Sequence, residues 1–412
     1  MSLTLDHAAA RVCAGIDWAS VDHAICILGA DGSVRERFFV VHDAAGLKTL
    51  VRRLLQAGVE EVGIERGDGP VVDALLQAGL TVLVITPGQV KNLRSRYGSA
   101  GNKADRFDAY VLADVVRTDR RRLRPLVRDS AATTAIRTTV RARRDLIEHR
   151  VAAANQLRAH LQNVFPGAAS LFAAIDTAIS LSFLERFTTQ TQADWLSPTR
   201  LATWLRSVSY SGRTDPAVLH ARLLAAPRGT TDTDADTHAT TKAYVTLLRV
   251  LNTQIDVLED NLTAQLKTHP DTHIFASLPR VKTLRVARLI GEIGDARGKF
   301  PTPASLAALA GVAPSTRQSG KVKAVTFRWG CNKQLRDALC DFAGDSRHDN
   351  PWAAQLYNDA IARGHDHPHA VRILGKAWAH VIWRCWNDNL SYDPSQHRAL
   401  QNVLGQTTKQ AA

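Results

Sequence analysis

The run Val12-Cys13-Ala14-Gly15-Ile16-Asp17 constrains this chain most, because it places a carboxylate inside an apolar strand. A charge there is costly unless something offsets it. A second run, Val62-Gly63-Ile64-Glu65, ends the same way. Asp105 and Asp108 follow in Lys103-Ala104-Asp105-Arg106-Phe107-Asp108-Ala109, three apart, so on a helix they share a face. Carboxylates that converge from separate elements suit hard divalent cations, which take oxygen ligands. Taken singly, an acid is read as a solvated surface residue or a helix cap, and Asp68 and Asp114 are read that way. The ordered quartet Asp17, Glu65, Asp105 and Asp108 is read as a site for one or two Mg²⁺ (or Mn²⁺) ions.

The surrounding pattern predicts an α/β domain over 1-125. Residues 12–17, 24–28, 34–41, 60–65 and 81–85 are short runs rich in Val and Ile, separated by turn signals such as Gly29-Ala30-Asp31-Gly32. Short joins make the first three an antiparallel meander. Helical patterns near 44–57 and 70–78 make the later strands parallel additions. This is the pattern expected of a ribonuclease H-like (RuvC-like) domain.

From about 103 the period turns helical. Ile147, Val151, Ala154, Leu157, Leu161 and Val164 form one apolar seam; Tyr244, Leu248, Leu251, Ile255, Leu258 and Leu262 form a second at heptad spacing. The region 126-270 is therefore expected to be long coiled-coil helices with an irregular insert, including a loop at the Thr/Asp-rich stretch 230–241. The helices pair either with each other or across two protomers; spacing leaves both open. A mostly α-helical C-terminal domain is expected over 271-395. In it, 311–320 reads as a loop, His365, His367 and His369 as solvated loop residues, and Trp378, Trp383 and Trp386 as core. Residues 396-412 read as a polar, frayed tail.

Lys+Arg is 52 against Asp+Glu 39, a formal net charge of +13, which favours a polyanionic partner. No apolar stretch reaches the roughly 18–20 residues of a spanning helix. The start, Met-Ser-Leu-Thr-Leu-Asp-His, has no basic n-region or long apolar h-region, so export is not expected, and the five cysteines form no CxxC pair. A cytoplasmic protein is expected. Acidic quartet and basic chain together point to an enzyme that holds nucleic acid and cuts it. The segment 117–150 carries eleven arginines and four acids. Arg120, Arg121, Arg122 and Arg124, directly after the acidic helix, are candidates for phosphate contact, against the ordinary reading of a solvated face. Arg317, Lys321, Arg328, Lys333 and Arg336 are further candidates.

These residues carry a resemblance. Gly-Ile-Asp17-Trp-Ala, Ile-Glu65 and Lys-Ala-Asp105-Arg-Phe-Asp108-Ala, followed by Ile-Gly-Glu-Ile-Gly-Asp, Leu-Ala-Gly-Val-Ala-Pro, Ser319-Gly320 and Gly-Cys-Asn-Lys-Gln-Leu-Arg, resemble the DEDD transposases of bacterial insertion sequences, the family that includes Piv-type invertases. One departure stands out. The family's glycine-rich Pro-Gly-Ile-Gly turn reads Pro279-Arg280-Val281-Lys282 here. The resemblance implies a recombinase that cuts and exchanges DNA strands, with Ser319 as the nucleophile that joins a DNA end. On residues alone Ser319 reads as a turn serine, and Ser315 is its local rival. The resemblance also implies a structured bridge RNA as guide, a homo-oligomer (dimer or tetramer), and a composite site drawn from two protomers. Two other readings stay open: a metal-dependent nuclease such as a Holliday-junction resolvase, without serine chemistry, and a non-catalytic nucleic-acid-binding protein.

Overall fold

In the computed structural model, which describes residues 11–97, 104–229, 234–319 and 322–411, the N-terminal apolar runs form one five-stranded sheet. Its strands are β1 (Val12–Trp18), β2 (Asp22–Leu28), β3 (Val34–Val41), β4 (Val59–Ile64) and β5 (Thr81–Val84). Their order is β3-β2-β1-β4-β5. β1 pairs antiparallel with β2, and β2 with β3, as short joins require; β1–β4 and β4–β5 are parallel. Parallel pairing needs crossovers, supplied by α1 (Ala44–Gln56) and α2 (Pro70–Gln77). Asp43 starts α1 by accepting a hydrogen bond from the Gly46 amide at 2.6 Å. A meander extended by parallel strands is the mixed sheet of a ribonuclease H-like fold.

Alternation along β1 builds two apolar layers. Ala14 and Ile16 pack with Leu50, Leu54, Val71 and Leu75 on the α1/α2 side. Cys13 packs on the opposite side with Val90 of α3 (Pro87–Arg94) and with Leu112 and Val116 of α4 (Asp105–Asp119). Burial holds the Cys13 thiol protonated, its pKa pushed up to about 12.

The chain divides into two compact units, Met1–Arg128 and Asp129–Ala412. In the second, α5 (Ala131–Val164) begins at Ser130, whose hydroxyl accepts from the Thr133 amide at 3.1 Å. Five short helices follow: α6 (Pro166–Ala169), α7 (Ala178–Arg186), α8 (Gln190–Ala193), α9 (Pro198–Ser207) and α10 (Pro216–Ala225). Then comes α11 (Asp234–Thr268). Gln265 donates to Thr139 at 3.4 Å, Arg150 donates to Asn252 at 3.3 Å, and His160 meets Thr241 at 3.0 Å. Numbers rise along one helix as they fall along the other, so α5 and α11 pair antiparallel within one chain.

Several expectations are corrected here. Val151 is exposed; its turn faces inward through Arg150, which pairs with Asp176 at 3.4 Å. The insert is not irregular, because α6–α10 share a core of Phe165, Phe183, Leu201 and Leu219. Prolines at 166, 198 and 216 cut it into pieces too short to show a sustained period. Residues 230–233 lie outside the described set, and from Asp234 the expected loop is helix.

The chain ends in α12 (Thr272–Ala276), α13 (Thr283–Ile293), α14 (Pro303–Leu309), β6 (Ser315–Ser319), β7 (Val322–Thr326), α15 (Lys333–Ser346), α16 (Pro351–Ala362), α17 (His367–Asp388) and α18 (Arg398–Ala411). Residues 315–319 are thus a strand of a hairpin rather than a loop. His367 and His369 open α17, where Pro368 is tolerated and Asp366 accepts from the His369 amide at 2.9 Å. The tail is helical, with Leu400 buried in the core. Trp378 and Trp386 are fully buried, and each indole N–H finds an acceptor at 2.8 Å, Ser346 Oγ and Gly294 O respectively.

At the departed turn, Arg280 has φ +56°, the left-handed conformation that favours glycine. Its guanidinium meets Asp345 at 3.2 Å. Left-handed backbone costs a side-chain residue about 1–2 kcal/mol. Arg280→Gly relieves that cost but adds unfolded-chain entropy and loses the ion pair, so its stability stays within about 1 kcal/mol of the parent. Arg280→Val, β-branched at the same φ, loses about 2 kcal/mol more. Urea unfolding of the two variants measures the difference.

Candidate active site

Two glycines position the first candidate site. Gly15 of β1 and Gly63 of β4 are register partners. A Cβ on Gly15 would penetrate the Ala109 carbonyl oxygen and the Ala113 nitrogen, and one on Gly63 would lie 2.8 Å from the Leu112 carbonyl. Only glycine lets α4 lie this close to the sheet. Since Gly15 meets Ala109 and Ala113 while Cys13 Sγ donates to the Ala113 carbonyl at 3.3 Å, α4 runs antiparallel to β1. The N-terminal turn of α4, with Asp105 and Asp108, therefore lies toward the end of β1 that carries Asp17.

Ile16 pairs with Ile64, so Asp17 and Glu65 are the next pair along. One step further, the Arg66 guanidinium sits over the Trp18 ring at 4.5 Å, as that register requires. Asp17 is two residues from Gly15, on its face of the sheet. Strand rise over those two residues is about 6–7 Å, and helix rise from Ala109 back to Asp105 is about 6 Å. The levels match. Asp105 is exposed, Asp17 and Glu65 are half-buried, and Asp108 is 2% exposed.

Asp108 is bound in a fork by Arg94, which donates from Nε and Nη2 to its two oxygens at 2.5 Å each. Sequence spacing gave no hint of this partner. Among the described residues, no three His, Cys, Asp or Glu side chains stand close enough together to hold a metal ion. The donor type suits a hard cation, since all four acids offer carboxylate oxygens, while both oxygens of Asp108 are held by Arg94. Breaking the pair strands a buried charge, so Arg94→Ala lowers stability by about 3–5 kcal/mol. If Asp108 faces a cation site, Mg²⁺ recovers part of that loss in the variant and changes the parent little. Urea unfolding with Mg²⁺ and with EDTA reads both.

Asp114, read as a solvated acid, is instead 5% exposed. It accepts from Tyr97 Oη at 2.5 Å and from Arg117 at 2.7 and 2.9 Å. The Tyr97 hydroxyl is pushed above its ordinary pKa by burial and by that carboxylate. Asp68 is exposed and pairs with Arg66 at 3.0 Å.

The arginine run is not uniform. Arg120 is committed to buried Glu61, and Arg122 reaches Asp119 at 3.5 Å. Arg121 and Arg124 are exposed.

Ser319 belongs to the other unit, at the tip of the β6/β7 hairpin, where it pairs with Val322. It is exposed, and the strand period puts it on one face with Ser315 and Arg317. Ser315 sits at the base, half-buried, with its carbonyl accepting from Thr326 Oγ1 at 3.4 Å. Arg328 braces the base, donating to the Ala313 and Pro314 carbonyls at 3.1 Å each. Gly320 and Lys321 lie outside the described residues. Lys333 and Arg336 start α15.

Known proteins show the family to which the chain belongs. Residues 14–166 match the family described as Transposase, of the DEDD IS110 type, and residues 272–358 match the Transposase IS116/IS110/IS902 family. The chain belongs to this family of transposases. The DEDD designation implies an acidic catalytic motif that requires a divalent cation, and a transposase acts on DNA. A Streptomyces coelicolor protein assigned as the mini-circle transposase for IS117 is 29% identical over 95% of this chain and 97% of its own length. The insertion element IS900 protein of Mycobacterium paratuberculosis is 25% identical over 93% and 98%. A Sinorhizobium fredii relative is 36% identical over 37% of this chain and 44% of its own. Among solved structures, Thermus thermophilus RuvC in complex with a Holliday junction is 17% identical, with TM-score 0.23, covering 28% of this chain and 99% of that one. The ribonuclease H-like assignment rests on strand order. No helix among the described residues is long and apolar enough to cross a membrane.

Proposed function

We propose that this transposase cuts and exchanges DNA strands with two sets of residues. Asp17, Glu65, Asp105 and Asp108 hold Mg²⁺ or Mn²⁺, and Ser319 is the nucleophile. The observation that carries the first half is the Gly15/Gly63 bed, which brings the acidic turn of α4 toward the strand ends bearing the other two acids. The second half is supported by the exposure of Ser319 on a braced hairpin tip beside Arg317. When bound, the cation supplies charge stabilisation at the scissile phosphate.

The remaining chemistry belongs to the chain. Ser319 Oγ forms a bond to phosphorus as the bond to the departing sugar oxygen breaks. The hydroxyl proton leaves to a base, and the departing oxygen takes up a proton. The product is a phosphoserine–DNA linkage that a second DNA hydroxyl can resolve, re-forming the serine. Arg317, on the same strand face, is suited to the extra negative charge of the five-coordinate phosphate.

Target choice is assigned to a bridge RNA that carries sequence recognition by pairing, while the protein reads backbone and shape. The protein works as a homo-oligomer in the bacterial cytoplasm, with domains over 1-125, 126-270 and 271-395. Purification from cells carrying the whole element, with sequencing of bound RNA, tests the guide: a discrete RNA from the element's flank is expected, and none would end that part of the reading. For the chemistry, a nuclease of the resolvase kind would lose cleavage in Asp17→Ala and keep it in Ser319→Ala.

A further inference from the structure

A basic cavity of about 500 Å³ opens in the second unit between the first turns of α15 and α17. Lys333 and Arg336 line it from α15, Arg372 from α17, and Phe327 from the chain leaving β7. The Arg336 and Arg372 guanidinium carbons each lie 5.0 Å from the centre of the Phe327 ring, so two cations are held at one aromatic ring. Two like charges lining one cavity repel, and an anion seated between them relieves that repulsion. The one acid in the wall, Asp337, is already paired with Arg288 at 2.7 Å. Arg336 Nη1 is buried and has no hydrogen-bond partner among the described residues. A buried guanidinium N–H left unmatched is costly, and a phosphate oxygen is the acceptor its geometry favours. Beside the cavity, Trp329 packs its edge on Phe327 at 4.8 Å and is 79% exposed. An indole so open, next to these cations, is a platform for a base.

We propose that this cavity seats the phosphate of an unpaired DNA nucleotide whose base stacks on Trp329. The proposal rests on the reading that the chain acts on DNA strands, and it names a holding site distinct from the residues that break bonds. Register along the hairpin runs from Ser319↔Val322 at the tip to Ser315↔Thr326 at the base. Tip and base are about 14 Å apart at the usual strand rise. A strand held in the cavity thus has a phosphate a few nucleotides along within reach of the Ser319 tip.

Fluorescence anisotropy of the full chain with fluorescein-labelled oligothymidylate, across a salt series, tests this. Arg336→Ala with Arg372→Ala is expected to weaken binding about 10–100-fold and to flatten the log–log salt slope by about 0.7. Trp329→Ala, at an exposed position that cannot unfold the domain, is expected to cost about tenfold, and Trp329→Phe to restore most of it. Binding and slope unchanged in these variants overturn the proposal. So does tighter binding of oligouridylate than of oligothymidylate, which would make the occupant RNA, or full displacement by equimolar inorganic phosphate, which would make it a bare anion. The serine chemistry is read separately: a Ser319 adduct that forms at saturating DNA in the Arg336/Arg372 variant leaves it standing even if the cavity assignment falls.

Discussion

Ser319→Ala is expected to abolish the covalent protein–DNA adduct and to lower strand transfer by about 10⁴-fold or more, the scale on which a serine nucleophile is missed. The fold should not change, because the side chain is exposed at a hairpin tip whose base is held by Arg328 and by strand pairing. Denaturing gels with labelled DNA show the adduct as a shifted band. The same assay on Asp17→Ala should lose both adduct and cleavage. Ser315→Ala should keep the adduct, since that residue is half-buried at the other end of the strand. Adduct retained in Ser319→Ala and lost in Ser315→Ala would move the nucleophile to the base of the hairpin. Cleavage retained in both, with no adduct in any protein, would leave the nuclease reading.

Gly15→Val is the second large effect. The new Cβ would enter backbone atoms of Ala109 and Ala113, which have no rotamer through which to yield. Relief requires α4 to move off the sheet, opening the layer formed by Cys13, Leu112 and Val116. Overpacking against side chains costs about 1–3 kcal/mol, and a backbone clash belongs at or above the upper end. Urea unfolding should therefore lose about 3 kcal/mol or more, with metal-dependent cleavage lost alongside as Asp105 and Asp108 shift from Asp17. Gly88→Ala, where a Cβ meets open space, is the control and should lose little. A loss below about 1 kcal/mol in Gly15→Val would mean that α4 does not lie on the glycine bed.

Much of the fold could be read from residue order. The joins after β1 and β2 are too short for anything but antiparallel pairing, and the helical runs before β4 and β5 require parallel addition. Heptad spacing predicted two long helices. It could not tell a hairpin from a dimer, because an apolar seam is satisfied by any partner of the same shape. Polar contacts such as Gln265–Thr139 and Arg150–Asn252 separate the two, and they depend on which residues end up opposite each other. The insert was legible but its helices were not, for a different reason: helices as short as α6 and α8 carry too few turns for a period to emerge.

At the candidate site, the sequence by itself determined that Asp17 and Glu65 belong to strands and that Asp105 and Asp108 share a helical face, since those follow from local periodicity. Only the tertiary structure decided what surrounds them. It placed α4 on Gly15 and Gly63, gave Asp108 to Arg94, buried Asp114 against Tyr97, and committed Arg120 to Glu61. Each of these is a meeting of residues far apart in the chain, or of a charge with a partner whose position no local pattern encodes. Burial and pairing are properties of the packed whole, whereas strand alternation and helical phase belong to a few neighbouring residues.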